Sequence, residues 1–152
     1  MPKASVKRLI ECKKKDLIDL VLDIEKYPQF VPFCFDAKIY ENKNEGDYTK
    51  IIADLTIGKG PFKDTYKSDV VFNKREDSIF VKNIDGPLNH LTNNWTFTDK
   101  KNGITEVTFD IDFEIKNKFL NSLMVVSFQF GLEKIADAFQ KRAEELFDNS
   151  KN

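Results

Sequence analysis

The sequence predicts an α+β fold: one curved antiparallel sheet of about seven strands wrapped around a long C-terminal helix, with two short helices after the first strand. Three observations carry this. Val107, Phe109, Ile111, Phe113 and Ile115 alternate with Thr108, Asp110, Asp112 and Glu114, a period of two that makes one sheet face dry and the other acidic. From Ile39 onward, strand-like segments follow one another at hairpin spacing, too close for the crossovers of a parallel nucleotide-binding sheet. The tail after Asn117 then switches to helical periodicity, with Leu120, Met124, Phe128, Ile135 and Phe139 on one stripe.

Taken in order, Ser5 to Cys12 reads as a strand, and Asp16 stands where a helix N-cap belongs, ahead of Leu17, Leu20, Val21 and Ile24 at i, i+3, i+4 and i+7. Pro28 and Pro32 allow at most one more helical turn around Gln29, Phe30 and Val31. Ile39 and Tyr40 precede a polar turn predicted over Glu41 to Asp47, and Ile51, Ala53, Leu55 and Ile57 alternate on the return strand. Gly58, Gly60 and Pro61 mark a break. Tyr66, Ser68, Val70 and Phe72 form the next inward set, Ile79 to Ile84 a further strand, and Leu91, Asn93, Trp95 and Phe97 the strand before the acidic one.

In the long helix a second stripe, Phe119, Leu123, Val126 and Phe130, continues as Glu133, Asp137, Lys141 and Glu144. The first half of the helix therefore has two apolar faces and the second half one. One face covers the sheet; the other calls for its own apolar partner, such as a ligand, a membrane surface, another chain or a neighbouring helix.

A chain of 152 residues is expected to form one domain over residues 1–152 and to bury roughly 70% of its unfolded surface, enough for a core without disulfide or metal. The net charge of −1 supplies no global field for nucleic acid. Lys3, Lys7, Arg8, Lys13, Lys14 and Lys15 form either a local basic patch or a solvated face. Cys12 and Cys34 fit two free thiols in a reducing compartment. The run from Phe119 to Leu132 is short for a membrane span and carries Asn121, Ser122, Ser127 and Gln129. Strand-like residues begin by Lys3, leaving no room for a transit peptide, so a bacterial cytoplasmic location or an already processed chain is expected.

Catalytic signatures are thin, and no catalytic residue or metal ligand is assigned. His90 is the single histidine and sits in a loop-like Leu-Asn-His-Leu context. Gly58-Lys59-Gly60-Pro61 lacks phosphate-loop spacing and a hydroxyl after the lysine. Asp110, Asp112 and Glu114 fall on the outer sheet face by parity. The inward sets are dominated by phenylalanine, fourteen in all, which suits a packed core or the wall of a lipid cavity. Ser68 and Asn93 stand among them and need partners, supplied by a ligand carbonyl, an ordered water or the backbone.

Three segments, read together, resemble the coenzyme Q-binding branch of the START-like (SRPBCC) superfamily: Asp23-Ile24-Glu25-Lys26-Tyr27-Pro28-Gln29-Phe30-Val31-Pro32-Phe33-Cys34; Asp85-Gly86-Pro87-Leu88-Asn89-His90-Leu91 with Asn93, Trp95 and Phe97; and Phe109 to Asn117 followed by the helix ending in Ala138-Phe139-Gln140-Lys141-Arg142-Ala143. The resemblance covers nearly the whole chain. Phe33 and Leu88 depart from it, standing where the family often has Trp and a bulkier aromatic, both apolar exchanges. It implies a helix-grip fold around a hydrophobic tunnel. It also implies two functional labels, because the same family includes ribosome-association toxins of the RatA type.

Under the first label the chain is a noncatalytic carrier of ubiquinone or a similar isoprenoid lipid serving respiratory electron transport, with the quinone as bound ligand and no cofactor. Trp95, Phe97, Phe109, Ile111 and Phe113 then line the sheet side, Leu120, Met124 and Phe128 the helix side, and Asn93 meets a ring oxygen. Pro28 to Cys34, with Phe30 and Phe33, and Gly86 to Leu91 frame the mouth. Phe119, Leu123, Val126 and Phe130 face the inner membrane or a partner, or are covered by the first helix or a homodimer seam. Under the second label the chain inhibits translation by docking on the large ribosomal subunit through its basic N-terminal segment. A cyclase-type enzyme ranks last, with Tyr66 as the single inward acid or base candidate.

Overall fold

The computed structural model describes residues 3–59, 61–86 and 88–147; the side chains at 59, 62, 115, 120, 121 and 123–128 lie outside the described set. Seven strands, β1 (Lys3–Ile10), β2 (Cys34–Glu45), β3 (Tyr48–Lys59), β4 (Phe62–Asn73), β5 (Ser78–Asp85), β6 (Leu88–Asp99) and β7 (Thr105–Ile115), form one antiparallel sheet in the order β1-β7-β6-β5-β4-β3-β2. Helix α1 (Lys14–Leu22) and a 3-10 turn (Ile24–Gln29) fill the connection from β1 to β2, and α2 (Lys118–Phe147) closes the chain. The predicted α+β class and helix-grip arrangement are what the structure has.

The period-two pattern does what its chemistry requires. Val107, Phe109 and Phe113 are buried while Asp110 is exposed, so β7 is dry inside and wet outside. Leu91, Asn93, Trp95 and Phe97 are all buried on the same inner face of β6. In the half of α2 that follows Gly131, Leu132, Phe139 and Ala143 are buried against that face while Glu133, Asp137, Lys141 and Glu144 are exposed.

Four local expectations are corrected. Strand β1 covers Lys3–Ile10 rather than Ser5 to Cys12, pairing Lys3 with Asp112 through Ile10 with Thr105. Helix α1 starts one turn before Asp16: Lys13 is the N-cap, without a side-chain cap bond, and its carbonyl accepts from Leu17 N at 3.1 Å. Asp16 sits instead in the first helical turn, where a carboxylate is favoured by the helix dipole. The polar segment Glu41 to Glu45 is strand, paired from Glu41 with Ile52 to Glu45 with Tyr48, and only Gly46 and Asp47 turn the chain. His90 belongs to β6, opposite Glu114, not to a loop.

Strand β2 is an outer strand of the sheet, and the 3-10 turn lies beside it. There the Glu25 carboxylate accepts a hydrogen bond from Ile39 N at 3.0 Å.

Candidate functional site

The inner face of the sheet divides into two regions. In the first, Phe139 of α2 is the hub: its ring meets Trp95 at 5.1 Å, Phe30 at 5.1 Å and Tyr27 at 5.4 Å, all edge-on. Trp95 packs on Phe109 at 4.3 Å and lies parallel to Phe97. Such aromatic pairs add about 0.5–1.5 kcal/mol each beyond the area they bury. Arg142 fastens the 3-10 turn to α2, its Nη2 donating to Gln29 Oε1 at 3.0 Å and its guanidinium lying over the Phe30 ring at 5.3 Å. A void of about 20 Å³ remains between Arg8, Trp95, Phe109, Ala136 and Phe139, far below a drug-sized site of roughly 300 Å³.

The second region is a smaller apolar cluster in which Tyr66, Leu88, Leu91 and Phe113 are buried, edged by Leu55, Ile57, Val81 and Ile111. Its frame is built from backbone specials. Gly86, at φ +134°, packs so close to β4 that an added Cβ would stand 2.6 Å from Tyr66 Cβ and 2.8 Å from Tyr66 Cα. Asn83 pins the start of β6, its Oδ1 accepting from Leu91 N at 2.7 Å and its Nδ2 donating to Leu88 O at 3.4 Å. Phe33 is held at φ 70°, a left-handed conformation that costs a non-glycine residue about 1–3 kcal/mol, and its carbonyl accepts from Gly58 N at 3.0 Å. A Cβ at Gly131 of α2 would lie 3.9 Å from the Phe33 ring, so the loop before β2 reaches α2 near its middle.

The predicted site residues fall on both regions. Trp95, Phe97, Phe109 and Phe30 belong to the first; Leu91 and Phe113 belong to the second, with Ile111 packed between the two. Phe33 stands between the loop and α2. Asn93 is buried, and its amide is engaged on both sides: Nδ2 donates to Asp110 O at 3.0 Å and Oδ1 accepts from Trp95 Nε1 at 2.8 Å. Ser68 likewise donates to Ala53 O at 3.2 Å. Leu120, Met124 and Phe128, and in the outer stripe Leu123 and Val126, lie outside the described side chains. Phe119 and Phe130, the ends of that stripe, are 71% and 63% exposed, and Lys134 Nζ lies 4.8 Å from the Phe130 ring centre.

Ionisable groups inside are neutral. Burial pushes the Tyr27 and Tyr66 phenols well above their ordinary range, and the Tyr27 hydroxyl donates to Val21 O. The buried thiols of Cys12 and Cys34 are both pushed up to about 11 by burial. Outside, His90 Nε2 meets Asp112 Oδ1 at 3.0 Å, and this hydrogen bond holds the Asp112 carboxyl below its ordinary value. An open depression of about 480 Å³ lies on this outer face, floored by Thr92, Asn94, Asp110 and Asp112. Among the six basic residues of the N-terminal segment, four form ion pairs: Lys3 with Asp112, Arg8 with Asp137, Lys14 with Asp77 and Asp99, and Lys15 with Asp19. Among the described residues no cluster of metal-ligating side chains forms, and no helix is long and apolar enough to cross a membrane.

Residues 11–140 match the protein family described as polyketide cyclase/dehydrase and lipid transport. The ribosome association toxin RatA of Rickettsia prowazekii is 33% identical over 142 residues, covering 91% of this chain and 94% of that protein. The mitochondrial coenzyme Q-binding protein COQ10 of Dictyostelium discoideum is 32% identical over 133 residues, covering 86% of this chain and 63% of that longer protein. Among solved structures, an 18 kDa protein of Caulobacter crescentus superposes with a TM-score of 0.79 at 25% identity, over 96% of this chain and 98% of that one.

Proposed function

The chain belongs to the polyketide cyclase/dehydrase and lipid transport family, and from that premise we propose that it is a noncatalytic carrier of ubiquinone or a similar isoprenoid quinone. The observation that carries this reading is the second inner region, where Leu91, Phe113, Ile111 and Leu88 present an apolar wall with no charged side chain among them. Such a wall suits an apolar body and gives acid–base chemistry nothing ionised to work with. In this reading the quinone ring and first isoprene units lie against this wall; Leu120, Met124 and Phe128, expected from the sequence on the helix side, lie outside the described side chains. Phe33 stands between the loop before β2 and α2, while Phe30 packs with Trp95, Phe97 and Phe109 in the first region.

The outer stripe of α2 is where the carrier meets a bilayer. Phe119 and Phe130 are exposed, Lys134 lies over Phe130, and the sequence from Lys116 to Leu132 carries lysines and no acid, a combination favoured at an anionic inner-membrane surface.

The name of the Rickettsia relative, a ribosome association toxin, supports a second reading, association with the ribosome. The ion pairs of the N-terminal segment weigh against that segment as the docking surface, since Lys3, Arg8, Lys14 and Lys15 already have carboxylate partners.

Mass spectrometry of organic extracts of the purified protein, paired with titration by a short-tail ubiquinone, tests the proposal. A copurified quinone and saturable binding are expected. A clean extract with no binding would overturn the carrier and leave the ribosomal reading to be tested by cosedimentation with the large subunit.

A further inference from the structure

We propose that the outer face of the sheet carries a binding site for a sugar ring, at the open depression where β6, β7 and β1 run side by side. The site lies across the sheet from the apolar wall and stands independently of the carrier reading.

The register sets six polar side chains on this face in two rows. Asn94 of β6 is opposite Asp110 of β7, which is opposite Ser5 of β1; two residues along, Thr92 is opposite Asp112, which is opposite Lys3. In the second row the charges are already engaged, since Asp112 meets His90 Nε2 at 3.0 Å and Lys3 Nζ at 3.7 Å. In the first row they are not. Directly opposed side chains have Cβ atoms about 4.5–5.5 Å apart, close enough for polar groups to bond across the strands. On the same outer face the opposed pair Thr56 and Thr65 does so at 2.7 Å. Asn94 and Asp110 are an amide donor and a carboxylate acceptor in that same relation, yet among the described residues neither side chain makes a hydrogen bond, and an open volume of about 480 Å³ lies over them. The hydroxyls of Ser5 and Thr92 border the same volume and are likewise unengaged within the protein.

In solvent each of these groups bonds water, so the depression selects a ligand that replaces those bonds one for one. A hydroxyl does this, because it gives a proton to the Asp110 carboxylate while it takes one from Asn94 Nδ2. An ammonium satisfies the carboxylate but has nothing to accept the amide proton, and an anion meets Asp110 and Asp112 as like charges. Several hydroxyls on one rigid ring are needed to reach Ser5 and Thr92 as well. Strand β5 places Phe80, 44% exposed, opposite Asn94, where its ring offers an apolar surface to the C–H face of such a ligand. Exposed antiparallel sheet faces take oligosaccharides in other folds, and the volume here lies within the range of small-molecule sites.

The test is an amide NMR titration of the isotope-labelled full chain with glucose, galactose, mannose and N-acetylglucosamine in turn, with maltotriose to represent a chain end, and with putrescine as a cation that carries no hydroxyl. Saturable movement of the Asn94 side-chain amide and of the backbone amides at Thr92, Asp110 and Ser5 is expected for at least one sugar, with the amides around Phe139 unmoved. In Asp110→Asn and in Asn94→Ala the dissociation constant for that sugar should rise about tenfold at an unchanged melting temperature, because neither side chain has a protein partner to lose. A response to maltotriose alone would assign the site to a chain end, and a response to the single sugars to a free ring. No saturable movement with any sugar would overturn the proposal. So would movement with putrescine and none with sugar, which would make Asp110 a bare surface charge, and so would wild-type sugar affinity in both variants, which would place binding elsewhere.

Discussion

Two ends of one sheet face behave differently. Around Phe139, aromatic rings from β6, β7, the 3-10 turn and α2 meet edge to face, and the amide of Asn93 is consumed by Trp95 and the backbone. Around Tyr66 the cluster is smaller, and its frame is set by glycine and asparagine at strand ends. The first end is held by aromatic rings packed edge to face, and the second by aliphatic side chains and one phenylalanine set in place by backbone contacts. Strands β6 and β7 thus carry a tight aromatic cluster at one end and a smaller, mostly aliphatic one at the other.

The sharpest way to break this contrast is at the hub. Phe139→Ala should cost about 3–5 kcal/mol in urea unfolding, because Trp95, Phe30 and Tyr27 all lose their shared neighbour. A loss below about 1 kcal/mol would mean that the first end is not the stabilising one. Gly86→Ala comes next: the new methyl group meets Tyr66 Cβ at 2.6 Å, and stability should fall by about 1–3 kcal/mol while quinone binding falls by more than the fold does. Unchanged binding with lowered stability would dissociate Gly86 from the site.

Phe119→Asp combined with Phe130→Asp tests the outer stripe, which belongs to neither end. These exposed positions should change stability by only ~0.5 kcal/mol, while flotation with anionic, quinone-containing liposomes drops sharply. A folded variant that still floats would remove the membrane from this face. The smallest effect concerns pH. Cys12 and Cys34, with folded values near 11 against 9.0 unfolded, stay protonated in the native state while the unfolded chain ionises. Their contribution is fully present below pH 9 and is lost as pH rises through about 11, so Cys12→Ser with Cys34→Ser should flatten the alkaline decline in stability. Ellman's reagent at pH 8 should label neither thiol until denaturant is added.

Much of this architecture was legible because burial writes a period into the chain. The inward row of β7 and the inward row of β6 from Leu91 to Phe97 could be read at once, since every second residue had to be apolar or paired. The far half of the β2–β3 hairpin was illegible for the matching reason: Glu41 to Tyr48 is exposed along its whole length, so pairing alone, without a buried face, holds it as strand. His90 was misread as loop because the outer face accepts polar side chains freely, and its partner Asp112 lies on a different strand. On the inner face, alternation placed Asn93, Ser68 and Tyr66 inward correctly, yet it could not say which partners Asn93 and Ser68 would find. That depends on which backbone carbonyls the register brings near, and the register gives Asn93 the carbonyl of Asp110 and Ser68 that of Ala53.

An open sheet has two borders, and a long border strand is an invitation to a second chain. In β2, twelve residues run along such a border, and their outward amide groups could template another strand. The carboxylate of Glu25 occupies one of those amides, at Ile39, and puts a negative charge beside the rest. Further along, Glu41, Lys43 and Glu45 make the border costly to dehydrate. Glu25, on the 3-10 turn beside β2, thus blocks one point at which a second chain could pair with this border. Replacing it with alanine would expose that amide while leaving the inner face of the sheet intact.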